Sequence, residues 1–174
     1  MSNHIFEMVL FAMLGALMFC SKIIMEAFPN IHLLGMLTML YTVVFRSKAL
    51  IPLYLYLTIQ GIYAGFAEWW LPYLYVWTVL WGMTMLIPKN IPKKIAMFVY
   101  PAVCALHGFA FGIIYAPGQA LLYSYNFEQT LAWIATGLYF DIIHGISNIF
   151  TGMLILPLSE LLKRLLKKSG RRLE

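Results

Sequence analysis

Polar positions in this chain fall in clusters, and the stretches between them are continuously apolar. Six such runs stand out: about Phe6 to Met25, Leu33 to Phe45, Leu50 to Phe66, Leu71 to Ile87, Ile95 to Ala116 and Leu131 to Leu156. A helix needs about 20 apolar residues to cross roughly 30 Å of hydrocarbon. The runs come close to that length; the second is short and needs protein neighbours or local thinning. Unbroken apolar runs predict helices, because the strands of a membrane barrel alternate apolar and polar residues. Pro157 ends the last run, and leucines then recur at 158, 161, 162, 165 and 166 with bases between them. That spacing predicts an amphipathic helix along anionic headgroups. With no internal repeat, low-complexity stretch or long linker, residues 1–174 read as a single integral-membrane domain with a basic tail over about 158–174.

Composition supports the same class. Of 174 residues 62% are apolar and 11% charged, and the mean hydropathy is +0.80. Soluble domains carry roughly 25% charged residues, and one of this size buries too little area to hide so much apolar surface. A soluble enzyme, a disordered chain and a secreted disulfide scaffold are excluded on these grounds. Cys20 and Cys104 lie inside apolar runs and read as small buried hydrophobes. No Lys or Arg precedes Lys22, so the first run is read as a mature span and not as a secretory signal.

The net charge of +5 would fit a nucleic-acid binder, but its distribution argues for a membrane. Arg46 and Lys48 separate the second and third runs, and Lys89, Lys93 and Lys94 the fourth and fifth. Lys163, Arg164, Lys167, Lys168, Arg171 and Arg172 follow the sixth. The alternate connections, Glu26 to His32, Ala67 to Trp70 and Pro117 to Thr130, contain no Lys or Arg. The positive-inside rule therefore predicts six transmembrane helices with both termini cytoplasmic.

A polar group in the bilayer is costly and needs a partner or a task. Asp141, His144 and Asn148 follow one another at spacings of three and four, on one helical face. At 1.5 Å per residue Asp141 lies on the order of 15 Å below the outer end of its helix. His107 sits at similar depth, followed by Gly108 and Gly112. The third run carries Tyr56, Gln60 and Tyr63, and its outer end Glu68-Trp69-Trp70. Trp70, Tyr73, Trp77 and Trp81 form one stripe of the fourth. Trp70 and Tyr73 suit an interfacial belt, whereas Trp77 and Trp81 are too deep for it. Helix packing explains each residue singly. Together they predict a cavity open to the outside, lined by rings and a few hydrogen-bonding groups, shaped for a flat heterocycle.

With these features the chain resembles the substrate-binding S component of an energy-coupling factor (ECF) vitamin transporter, over nearly its whole length. Ala12-Met13-Leu14-Gly15-Ala16 resembles the Ala-x-x-x-Ala motif by which S components dock on the transmembrane T subunit. Pro29-Asn30-Ile31-His32-Leu33-Leu34-Gly35 is similar to the family's substrate-covering loop. The stretch from Gly137 to Asn148 is similar to a Pro-Phe-Asp-x-x-His-x-x-x-Asn pattern, with Tyr139 in place of the proline. The nickel and cobalt branch uses a histidine at position two, where this chain has Ser2, so no metal is expected.

The resemblance implies a vitamin, or vitamin precursor, with a heteroaromatic ring, captured from outside and released inward with a T subunit and ATPases. Asp141, His144, Asn148 and Gln60 would hydrogen-bond it. Trp70, Tyr73, Trp77 and Tyr139 would stack on it, with Glu68 and His107 as further contacts, and Ala12 and Ala16 would face the T subunit. The chain has no Walker A sequence, so ATP hydrolysis falls to the partners. It has neither a Gly-x-Ser-x-Gly elbow nor His-Glu-x-x-His, and no enzymatic activity, cofactor or nucleic-acid partner is expected. The location expected is a prokaryotic plasma membrane. Two alternatives stay open: a self-sufficient proton-coupled transporter relaying through Asp141 and His144, and a membrane-embedded enzyme using them as acid and base.

Overall fold

In lipid every backbone polar group must find its partner within the protein, and helices do this segment by segment. The computed structural model describes residues 3–168, and among them there are eight α-helices and no strand. They are α1 (Asn3–Ile24), α2 (Leu34–Phe45), α3 (Leu50–Ala64), α4 (Trp70–Met85), α5 (Lys93–Phe109), α6 (Phe111–Tyr123), α7 (Phe127–Gly152) and α8 (Ile155–Lys168). A 3₁₀ turn, Arg46–Ala49, joins α2 to α3. Ser2, Arg171 and Arg172, used above, lie outside the described residues.

Three stretches are long and apolar enough to cross a membrane: His4–Ile24, Leu34–Ala64 and Lys93–Tyr123. A fourth is added if Phe127–Gly152 and Ile155–Lys168, bent by 45°, count as one span. In length and composition these helices are consistent with a membrane protein. Length alone does not yield six crossings, because α2, α3 and α4 have only 12, 15 and 16 residues. At 1.5 Å per residue each is shorter than roughly 30 Å of hydrocarbon.

Side-chain pairings fix the direction of each helix. α1 and α3 are parallel: Glu7 pairs with Lys48, Gly15 lies against Pro52 and Leu55, and the ring of Phe19 meets Tyr63 edge-on. α2 opposes α1, with Phe11 against Phe45 and the Tyr41 hydroxyl donating to the Leu14 carbonyl. The chain therefore reverses between α2 and α3, within the stretch Leu34–Ala64. The reversal is made at Arg46, whose φ of 53° and ψ of −120° leave the helical region. α4 returns along α3, where Trp70 Nε1 donates to the Leu57 carbonyl at 2.8 Å and Arg46 donates to the carbonyls of Met85 and Ile87. α5 and α6 oppose α4, with His107 beside Val76 and Gly118 beside Tyr75. α7 opposes them in turn: Gly152 faces Pro101, Gly145 faces Gly108, and Asp141 faces Gly112. The chain thus runs back and forth six times through the bundle.

This alternation gathers Arg46, Lys48, Lys93 and Arg164 at one end, where Lys48 pairs with Glu7 and Lys93 with Glu160 at 2.6 Å. The Lys93 ammonium holds the Glu160 carboxyl below the usual carboxylate range. The fifth apolar run is longer than expected and broken at Ala110: α5 stops at Phe109, and α6 continues from Phe111 to Tyr123. α8 starts at Ile155, three residues before the expected tail. Its leucines also divide. Leu158, Leu162 and Leu166 pack on the core, while Leu161 and Leu165 stay exposed. Of the two cysteines only Cys104 is buried; Cys20 is exposed on α1.

Candidate functional site

The break between α5 and α6 sets the site. A helix start leaves backbone N–H groups without intrahelical partners. Gly112, in the first turn of α6, donates its N–H to the Asp141 carboxylate, 3.1 Å from each oxygen. A negative charge is also favoured there by the helix dipole. The approach is possible because residue 112 is glycine: a Cβ would lie 2.4 Å from Asp141 Oδ2. One N–H leaves most of the acceptor capacity of a carboxylate unused.

That remaining capacity faces a cavity of about 550 Å³ at the end of the bundle away from the basic cluster. Ligand pockets are usually roughly 300–1,000 Å³. Tyr73, Phe111, Tyr115 and Trp133 form its walls, and Glu68 and Gln119 add polar groups. Tyr115 stacks on Trp133 at 5.7 Å and on Phe111 at 5.9 Å, and Tyr73 meets Trp77, Phe111 and Tyr115 edge-on. Glu68 accepts a hydrogen bond from the Tyr123 hydroxyl, joining the α3–α4 connection to the end of α6. Tyr115 Oη donates to the Trp69 carbonyl at 3.3 Å.

Below the cavity lies a packed layer. His144 is 1% exposed, and its ring contacts Phe111 at 5.0 Å and His32 at 4.7 Å. His107 Nε2 bonds the Val76 carbonyl at 3.0 Å, which makes that nitrogen the donor and leaves Nδ1 as acceptor. Trp77 touches both His32 and His107. Asn148 Nδ2 donates to the Cys104 carbonyl at 3.0 Å. His32 Nδ1, Trp77 Nε1, His107 Nδ1, His144 Nε2 and Asn148 Oδ1 are all buried with no hydrogen-bond partner. Buried polar groups are normally paired, so these bare atoms set the layer apart from an ordinary apolar core.

Of the residues expected at the site, the structure brings Glu68, Tyr73 and Asp141 to the cavity. His107, His144, Asn148 and Trp77 form the layer under it. Asn148 Nδ2 staples α7 to α5, where glycines at 108 and 145 bring those backbones together. No hydrogen bond joins Asp141 to His144. Trp70 is held on the Leu57 carbonyl and lies outside the cavity lining. Gln60 is buried on α3, also outside the lining. Tyr139, where the resembled pattern has proline, is 68% exposed on the outer face of α7. Ala12 and Ala16 are exposed on the outer side of α1, while Gly15 between them packs on α3. No metal-binding group of three or more His, Cys, Asp or Glu occurs among the described residues.

Sequence reasoning missed Phe111, Tyr115, Gln119 and Trp133. The first three recur at spacings of four, the stripe of one helix face, and that signal was legible. It also missed His32 as a member of the inner layer. A connecting segment carries no periodicity, so only the fold shows that its ring enters the bundle between Trp77 and His144.

No protein-family model, curated protein or solved structure matches this chain.

Proposed function

We propose that this chain is the substrate-binding S component of an ECF-type importer, taking up a vitamin or vitamin precursor with a planar heteroaromatic ring. The cavity of about 550 Å³ carries the reading. It combines flat aromatic walls with one carboxylate held in place by a backbone N–H. Rings stack a flat ligand over a large area with little loss of side-chain freedom, and Asp141 orients its polar edge. Six alternating passes with bases gathered at one end support six membrane spans with both termini cytoplasmic, so that the cavity opens outward. Short helices such as α2 are tolerated where other helices surround them, and α2 is buried along most of its length. Asn30 lines the cavity, and its carbonyl lies 3.4 Å from Ser147 Oγ, whose nearer acceptor is the His144 carbonyl at 3.1 Å, so the first outer connection both borders the site and touches α7. The exposed side of α1, with Ala12 and Ala16 level with its surface, offers a close-packing face to a T subunit.

Three measurements test this. Small molecules copurifying with the detergent-solubilised chain, analysed by mass spectrometry, are expected to include one heteroaromatic nutrient. Ala12→Trp should abolish uptake in cells containing T and ATPase subunits and leave ligand binding intact. Uptake by the chain alone in vesicles, abolished by an uncoupler, would overturn the assignment in favour of a proton-coupled transporter.

A further inference from the structure

At the opposite end of the molecule two hollows adjoin and share Leu156. The first, about 330 Å³, lies between the α4–α5 connection and α8 and is lined by Lys89, Lys93, Tyr100, Lys163 and Arg164, with Glu160 among them. Four cations face one carboxylate. Glu160 is already engaged by Lys93 at 2.6 Å and Arg164 at 3.8 Å, whereas Lys89 and Lys163 make no ion pair among the described residues. The second hollow, about 650 Å³, is an almost purely apolar groove between α5 and the elbow where α7 bends into α8. Met97, Phe98, Ala102 and Met153 line it and are all exposed.

The two hollows follow one another along α5. From Lys93 to Ala105 the helix advances about 18 Å, with charge at the start and apolar or small residues beyond. An acidic peptide would leave the groove empty, and a plain hydrocarbon would leave the cations unused. We infer that this pair of hollows is a binding site for one anionic diacyl phospholipid, its headgroup phosphate among Lys89, Lys93, Lys163 and Arg164 and an acyl chain in the groove below. Basic pockets beside membrane helices recognise lipid headgroups by this combination of charge and adjacent apolar surface. The inference needs the bundle to lie in a membrane and is independent of what the cavity at the other end binds.

The test is native mass spectrometry of the delipidated full chain in detergent, loaded with either phosphatidylglycerol or phosphatidylcholine of the same acyl composition. One phosphatidylglycerol should be retained per chain, and phosphatidylcholine much less. Lys89→Gln with Lys163→Gln removes the two unpaired cations while sparing the Glu160 pairs, and should weaken retention about 30-fold. Ala102→Trp fills the groove and should weaken it comparably. Lys167→Gln with Lys168→Gln, further along α8, should retain the lipid as the parent does. Equal retention of both lipids would overturn the site, as would equal loss in the Lys167/Lys168 variant. So would complete displacement by inorganic phosphate, which would leave a free-anion pocket. A dimer that dissociates on Ala102→Trp, with no lipid on the monomer, would assign the groove to a second copy.

Discussion

Two layers of the same helix use the same kinds of residue for opposite ends. Around Asn148, α7 lies so close to α5 that a Cβ on Gly108 would stand 2.9 Å from the Gly145 backbone. There the amide nitrogen donates to the Cys104 carbonyl, and the backbones at Gly35 and Gly108 crowd the side chain. Two turns outward, Gly112 again lets the facing backbone reach the side chain, but there Asp141 also borders open volume walled by the rings of Phe111 and Tyr115. Glycines face α7 in both layers, so the difference lies in what surrounds the contact, packed backbone at Asn148 and an aromatic-walled hollow at Asp141, and not in polarity on α7. An intramembrane polar residue can therefore meet a ligand only where its neighbours leave it room.

Substitutions separate the layers. The largest stability effect is expected for Gly108→Val, because the clash is with backbone, which cannot turn aside. It should cost about 3 kcal/mol, read as a fall in the thermal unfolding midpoint in detergent. Survival of that variant at the parent midpoint would mean the two helices are not in close contact. Asp141→Ala should weaken ligand binding by about 10- to 100-fold, the range for a hydrogen bond to a charged group, as measured by titration calorimetry. Asn148→Ala should do the reverse, lowering stability by about 1–2 kcal/mol and changing affinity little. If Asn148→Ala abolishes binding while stability holds, the inner layer belongs to the site. Trp133→Ala and Tyr115→Ala should each reduce affinity several-fold, since an aromatic pair contributes about 0.5–1.5 kcal/mol beyond area burial. Tyr139→Ala, on the outer face, should change neither quantity measurably. A clear affinity loss there would place the ligand on a different side of α7.

Much of this was legible in the chain itself. The continuity of its apolar runs dictated helices, because lipid offers a backbone no other partner. The alternation of basic and base-free connections marked two unlike ends, and the spacings of three and four put Asp141, His144 and Asn148 on one face. Periodicity says which residues share a face, but not which surface that face meets. Only the tertiary structure decided that Asn148 is enclosed by packed backbone while Asp141, equally close to a glycine, borders an aromatic-walled hollow. It alone turned the chain back at Arg46, broke the fifth run at Ala110, and carried His32 into the bundle. Those outcomes depend on how volumes far apart in sequence fit against one another, and no local pattern records that fit.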